Sequence, residues 1–482
     1  MAIALGIVIG YVACLLLISA WSSRLLRRSK EGFFLAGREL SAPLVAVTVT
    51  GLAIGGASTI GVAQDAFSGK GISAGWYGAA WSVSALVVGL VVSRQYRRLN
   101  VVTVPQMFED YYDRWGRLAC VVVQVLVQIV ITSLQYVAGG AILHELLPDV
   151  FTTLASGMIF SAVVFIGMTV VGGLWSASLS NILNVLLIYA GIALAAAMSV
   201  AAAGGMNRVV ELLPDGGAYL APVAGVGWMW IGTTTLVLVT CNISFQATIQ
   251  IGLAARNESH ACGGYLLAAV LILPVSFLAA FIGVAAKASF PEMEEATAAL
   301  PRMVGSLHPV VAGVTLAALW AADVSTACGL LLSSSTVITR DIIARLLRSD
   351  LSEQARLRMS RVVVLVIGAA TLGLALRIQG ILSALMQGLS LTTGPTVVVL
   401  FTFLCPSLCR RSSAFWTIIA GITVMAVWQF HPPVRVTPHV IYLEWMVCVG
   451  VFLAVRLMDR RPIAARWDES GGLRAAVLVH DL

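Results

Sequence analysis

Residues 321–336, AADVSTACGLLLSSST, decide how this chain is read. The neighbouring sequence is almost wholly apolar, yet these sixteen residues carry one carboxylate, Asp323, and six hydroxyls, Ser325, Thr326, Ser333, Ser334, Ser335 and Thr336. On a helix, residues 322, 325 and 326 stand at i, i+3 and i+4 and share one face. Hydroxyls in an apolar helix have two uses. They can bond back to carbonyls of their own helix or of a neighbour, or they can join the Ala322 carbonyl in offering neutral oxygens to a monovalent cation. For Ser325 and Thr326 the spacing leaves both uses open; for 333–336, near the end of the segment, back-bonding is the simpler reading. Asp323 lies about 100° around the helix from Ala322. An ionisable side chain in such a segment marks a functional site by default. Being held protonated, being paired and raising local cation affinity are all open to it.

The surroundings define the class. The chain has 482 residues, 59% hydrophobic and 11% charged, with a mean hydropathy of +0.93. A soluble protein would carry about 25% charged residues, so most of this surface faces something other than water. Runs of roughly 20 apolar residues, the length of a bilayer-spanning helix, recur throughout. The expected fold is an all-α polytopic membrane protein with thirteen spans. They cover 2–22, 42–66, 73–92, 118–142, 152–172, 180–203, 226–250, 263–286, 310–335, 362–377, 381–404, 413–430 and 439–457. The first lacks a basic stretch before it and a small-residue cleavage site after it, so it reads as a helix rather than a signal peptide. One membrane domain, 1–457, is followed by a short tail, 458–482.

Assigning alternate loops to alternate sides places 24 of the 30 Lys and Arg on one side and 6 on the other. The basic side is the cytoplasm by the positive-inside rule, which puts the N-terminus outside and the C-terminus inside a cell (plasma or inner) membrane. The net charge of +7 follows from these loops and speaks for contact with anionic lipid, not nucleic acid. No obligatory protein partner is expected. The eight cysteines lie in or at the ends of spans as buried thiols, and Cys405 and Cys409 have no further ligand beside them for a metal. The acidic loop 287–309, with FPEMEEATAALP, is either a solvated connector or a short amphipathic helix over an outer entrance.

Two spans look interrupted. Gly51, Gly55 and Gly56 fall near the middle of the second, where they favour either unwinding or close packing. The seventh puts Thr240, Asn242, Ser244 and Gln246 in the hydrocarbon. Five spans separate the two, so spans 2–6 (with 42–203) and 7–11 (226–404) read as inverted five-helix repeats with broken helices 2 and 7, the arrangement in which transporters bind substrate and coupling ion. The carbonyls of Gly51 and Ile54 would join Ala322, Ser325 and Thr326 in a five-oxygen sodium site.

Further along the chain, FFLAGREL (33–40), TIGVAQDAFSGKGIS (59–73), TVPQMFEDYYDRW (103–115), GGLWSASLSNILN (172–184), FQATIQIGLAAR (245–256) and AADVSTACGLLLSSSTVITRDI (321–342) occur in this order. Together they resemble the sodium:solute symporter family, the group of sodium-coupled proline, sugar, sialic-acid and pantothenate carriers. The resemblance implies two inverted repeats, alternating access, and a sodium ion held by Gly51, Ile54 and Ala322 through backbone oxygen and by Ser325 and Thr326 through hydroxyls. Some family members bind a second sodium with an acid and further hydroxyls; the matching positions here are Asn181, Cys328 and Gly329, so one sodium per cycle is expected. Sugar carriers' polar ligands align with Ser58 and Leu238, which makes a sugar substrate unexpected.

The solute, a small carboxylate or amino-acid-like molecule, is expected between spans 2, 3, 7 and 11. Its candidate contacts are Ser58, Thr59, Trp81, Asn242, Gln246 and Gln387; Trp76 and Tyr77 read more readily as interfacial anchors. Asp65, near the outer end of span 2, is solvated beside Lys70 or a second charge-coupling group after Asp323. The leading function is sodium-coupled import. A proton-coupled carrier of the same fold is the alternative, with Asp323 or Asp65 titrating. A membrane sensor lacks a signalling domain, and a membrane enzyme is disfavoured because the six histidines are scattered.

Overall fold

Hydrocarbon supplies no hydrogen-bond partner, so a chain this apolar must satisfy its backbone inside helices. The computed structural model describes residues 2–26, 32–214, 216–347, 352–377, 381–463, 465–467 and 473–475. Among these, ten helices are long and apolar enough to cross a bilayer. An eleventh crossing arises if Gly227–Ser244 and Gln246–Leu253, bent by 51°, are one span. Ile9–Ser22 and Ala42–Ala53 are shorter apolar helices.

The boundaries depart from the sequence expectation where glycine or a turn intervenes. The spans expected over 152–172 and 180–203 are two helices within Leu154–Ala202, Leu154–Val171 and Gly173–Ala202, meeting at a kink where Gly173 has a φ of 56°, a left-handed value that suits glycine. The second and third spans join in a helical run from Ala57 to Leu99, interrupted at Gly69 and Gly71 with φ of 118° and 55°. The span expected over 381–404 is two helices, Ile381–Ser390 and Thr393–Leu404. The tail adds a short antiparallel pair, Ala465–Trp467 with Leu473–Ala475, outside the all-helical membrane fold.

Burial separates centre from periphery. The window within Pro309–Arg345 is 89% buried inside the protein, against 33% for Ser413–Phe430 and for Val440–Met458. The helix carrying Ser325 and Thr326, Pro309–Val337, therefore runs through the middle, packed on Leu154–Ala202, Arg114–Leu146 and Ala42–Ala53. In the acidic loop, Ala299–Gly305 is helical and buries Leu300, Met303 and Val304. It packs over Ala57–Gly61, at the end of the molecule away from the basic loops.

At the basic end, the sequence TVPQMFEDYYDRW folds into a buried ion-pair cluster. Thr103 caps the helix Val104–Tyr111, and its hydroxyl donates to Asp341 at 2.9 Å. Arg117 lies between Asp341 and Glu109, donating from Nε to Asp341 at 2.8 Å and bonding Glu109 through Nη1. Arg345 reaches Glu109 at 2.9 Å. Burial pushes the Glu109 carboxyl up, but Arg345 and Arg117 outweigh it and hold the group below its ordinary range. Its pairing thus stabilises the fold in full above the ordinary carboxylate range, and that contribution is lost as pH falls through the depressed value.

Asp341 is fully buried, so Arg117→Met strands a buried charge and is expected to destabilise by about 3–5 kcal/mol. Arg345→Met removes a half-exposed partner and should cost at most about 1 kcal/mol. Thermal unfolding of the two variants in detergent checks this; equal effects would remove the central role of Arg117.

Candidate functional site

The helix Ala42–Ala53 ends at Ile54, whose φ of −95° and ψ of 91° are extended. Ending there frees the carbonyls of the last turn from the i+4 pattern. Their partners come from the central helix. Ser325 Oγ donates to Gly51 O at 2.7 Å and to Ala322 O at 2.8 Å. Thr326 Oγ1 lies 3.1 Å from Gly51 O, 3.2 Å from Leu52 O and 3.4 Å from Ile54 O. The five oxygens nominated from the sequence therefore stand in one buried cluster.

The chemistry of the cluster suits a cation. Two hydroxyl protons face four buried carbonyls, an excess of acceptors. A hard monovalent cation needs several oxygens and no donor, and here it would relieve that excess. Gly51 permits the approach of a third helix: a Cβ there would meet the Asn181 amide at 2.6 Å. Asn181 accepts from Asn184 Nδ2 at 3.0 Å, and Asn184 from the Tyr11 hydroxyl at 2.9 Å. Two cavities of ≈20 Å³, each room for about one water, are both lined by Asn181 and Ser325, one also by Cys328 and the other by Gly329. The positions matching a second sodium site thus surround Ser325, but as an amide, a thiol and a glycine.

Two glutamines that the sequence pattern did not single out hold the breaks, and a third lies between them. Gln135 Oε1 accepts the Gly56 N–H at 2.8 Å. Gln124 spans the break in the seventh span, donating from Nε2 to Ser244 O at 2.8 Å and accepting the Gln246 N–H at 2.9 Å. Both sit on the helix Arg114–Leu146, eleven residues apart, which brings them to within about 20° of one face and about 16 Å apart along the axis. Between them, Gln128 donates to Gln124 O at 2.9 Å and accepts from Ser334 at 3.2 Å. Three amides on one stripe of an apolar span was the available signal.

Other nominated residues are dispersed. Ser58 donates to Ala53 O at 2.6 Å and Thr59 to Gly55 O at 3.1 Å, so both line the unwound segment. Trp81 donates to the Tyr77 hydroxyl at 2.9 Å, while Trp76 reaches Pro222 O in a loop. Asn242 donates to Leu238 O and accepts from Thr248 at 2.6 Å, tying the two halves of the seventh span together. The Gln246 amide accepts from Val104 N at 2.7 Å and donates towards Val102 O and Gln250. It is committed to the loop at the basic end, away from Ser58 and Thr59. Gln387 is exposed. Asp65 pairs with Lys70 at 2.6 Å, apart from the oxygen cluster. Asp323 is fully buried, and neither carboxylate oxygen has a hydrogen-bond partner among the described residues.

The model of the sodium:solute symporter family matches residues 33–421. This chain belongs to that family. It is 25% identical to a sodium/glucose cotransporter of Vibrio parahaemolyticus over 394 residues, covering 74% of this chain and 71% of the relative. It is 23% identical to a sodium/proline symporter of Salmonella typhimurium, covering 87% and 86%. In fold it is similar to a Na+-coupled sialic acid symporter, with a TM-score of 0.80, 18% identity and 96% of this chain covered. The family's members are transporters, and so is this symporter-family chain, which is no enzyme.

Gln124→Leu leaves a carbonyl and an N–H unpaired at the seventh-span break and should destabilise by about 2–4 kcal/mol. Gln128→Leu, which strands neither partner because Gln124 O keeps its helix bond and Ser334 still donates to Leu330 O, should cost less. Thermal unfolding of both variants reads the difference, and small, equal losses would show that something other than Gln124 holds the break.

Proposed function

We propose that this protein is a sodium-coupled symporter that imports a small carboxylate or amino-acid-like solute by alternating access. The observation that carries this reading is the contact between the Ser325 and Thr326 hydroxyls and the carbonyls released at Gly51–Ile54. Sodium is the transported coupling ion, held by the backbone oxygens of Gly51, Ile54 and Ala322 and the hydroxyls of Ser325 and Thr326. With the ion gone, each hydroxyl returns its proton to the carbonyls; with the ion present, all five oxygens turn their lone pairs to it. Ion occupancy thereby links the broken second span to the central helix. Sodium entering down its gradient gains about 2.3 kcal/mol per charge per 100 mV, which can drive solute uphill.

The proposed architecture is thirteen crossings in one membrane domain, 1–457, with inverted repeats over 42–203 and 226–404. The ten long apolar helices, the bent pair and the two shorter apolar helices support the count. Breaks at Ile54–Gly56 and Phe245 support the repeats, because they fall five crossings apart. The concentration of Lys and Arg at one end supports a cytoplasmic C-terminus and an external N-terminus. In this orientation the Arg117 cluster lies at the cytoplasmic mouth and the helix Ala299–Gly305 at the outer one. Solute binds beside the unwound segment, at Ser58 and Thr59, with Trp81 as a further contact.

Uptake into proteoliposomes, with a panel of labelled solutes and sodium or potassium outside, tests the proposal. Uptake is expected only with sodium. Ser325→Ala combined with Thr326→Ala should raise the sodium concentration for half-maximal uptake by about tenfold or more, the equivalent of losing about 1.4 kcal/mol of ion binding. An unchanged sodium dependence in the double variant would remove the site.

A further inference from the structure

The thirteenth span carries an acid that neither the sodium site nor the solute site uses. Glu444, on the helix Val440–Met458, is fully buried, and its Oε1 has no hydrogen-bond partner among the described residues. Its helix packs on Ser413–Phe430, Thr393–Leu404, Ile381–Ser390 and Gly227–Ser244. None of these four contains Asp, Glu, Lys, Arg or His; the titratable group they bring is the Cys241 thiol. On its own helix, Cys448 lies one turn away, the Tyr442 hydroxyl is bonded to Thr233 at 2.7 Å, and Arg456 stands about 18 Å along the axis. His439 caps the helix start, where its Nδ1 accepts the Ile441 N–H. A buried carboxylate that meets no positive group gives up its charge.

The protons around Glu444 point the same way. Opposite it, the eleventh span breaks between Ser390 and Thr393, and the carbonyls released there need donors. Ser390 Oγ donates to Gln387 O at 2.9 Å, Thr392 Oγ1 to Leu389 O at 2.7 Å and Thr393 Oγ1 to Ser390 O at 2.7 Å. A hydroxyl has one proton and two lone pairs. Thr393 Oγ1, 3.2 Å from Glu444 Oε2, therefore has no second proton for a carboxylate but a free lone pair for an acid. A proton also suits the close packing: a Cβ on Gly394 would lie 2.9 Å from Ile418 Cα, and one on Gly421 3.3 Å from Cys448 Sγ. The break is joined in turn to the seventh span, where Ser244 Oγ lies 2.8 Å from Thr396 Oγ1 and Thr396 donates to Thr240 O at 2.5 Å.

We propose that Glu444 is a proton-binding site: as a neutral acid it donates to Thr393 Oγ1 and holds the thirteenth span to the break in the eleventh. Release breaks the O–H bond of Glu444, leaves the electron pair on the carboxylate and passes the proton to water. The charged group cannot stay among uncharged helices, and the break comes free. Glu444 lies about 6 Å along the axis from Val440, at the end that the proposed topology places outside, so the site exchanges with the external solution. External acidity thereby sets how firmly the break, and through Thr396 the seventh span, is held.

The test uses the full-length protein in lipid nanodiscs, with infrared difference spectra between acidic, neutral and alkaline buffers. The wild type is expected to show a neutral carboxylic-acid band at neutral pH that disappears in alkaline buffer. Asp323→Asn should keep that band and Glu444→Gln should lack it. Hydrogen exchange of the 387–396 backbone, corrected for the intrinsic rate, is the second readout. Wild-type protection should fall by about tenfold or more in alkaline buffer. Glu444→Gln, whose amide donates to Thr393 at every pH, should show no fall. A spectrum without a Glu444-dependent acid band, wild-type protection indifferent to pH, or an equal fall in Glu444→Gln would overturn the proposal. If Glu444→Gln does not fold, Thr393→Val, which removes the acceptor, is expected to move the acid band to higher frequency, and an unmoved band would overturn the proposal instead. Neither readout involves transport, so failure here leaves the symport reading intact.

Discussion

The constraint behind this structure is that a helix broken within the membrane must have its released backbone groups met by protein. Each buried N–H or carbonyl left unpaired costs about 1–3 kcal/mol. The second span meets that demand on two sides. Ser325 and Thr326 of the central helix take the carbonyls of Gly51, Leu52 and Ile54, and Gln135 takes the Gly56 N–H. The seventh span is served likewise by Gln124, which bridges Ser244 and Gln246. Neither break stands alone, and one helix, Arg114–Leu146, reaches both.

That arrangement gives the proposed ion its leverage. The carbonyls at the end of Ala42–Ala53 have two sets of possible partners, the hydroxyl protons or a cation, and exchanging one for the other changes what ties the second span to the central helix. A rigid connection through Gln124 and Gln135 then relates the second span to the seventh. At the basic end, Arg117 holds the loop before Arg114–Leu146 to Asp341, at the far end of the central helix. The hydroxyl cluster and the charged cluster therefore lie on the same central element.

The broken spans were legible in the sequence because their causes are local. Three glycines within six residues weaken a helix wherever they occur, and the i, i+3, i+4 spacing of Ala322, Ser325 and Thr326 fixes their common face. The family resemblance aligned the same positions. What the sequence did not disclose was the destination of the amides. Asn242 and Gln246 are as polar as any substrate ligand, but the fold spends them on the seventh-span break and on Val102 and Val104. Gln124 and Gln135 look like isolated polar residues until the breaks they serve are placed opposite them. Asp323 illustrates the same limit: its angle around its own helix was readable, but its meeting with Gly56 depends on how two helices cross.

A pair of experimental structures, one in sodium chloride and one in potassium chloride, most directly examines whether the released carbonyls form an ion site. Sodium bound here would give a density peak in coordination range of the Gly51, Ile54 and Ala322 carbonyls and the Ser325 and Thr326 hydroxyls, with the peak absent in potassium. Hydroxyl-to-carbonyl hydrogen bonds intact in both salts, with the ion located elsewhere, would contradict it.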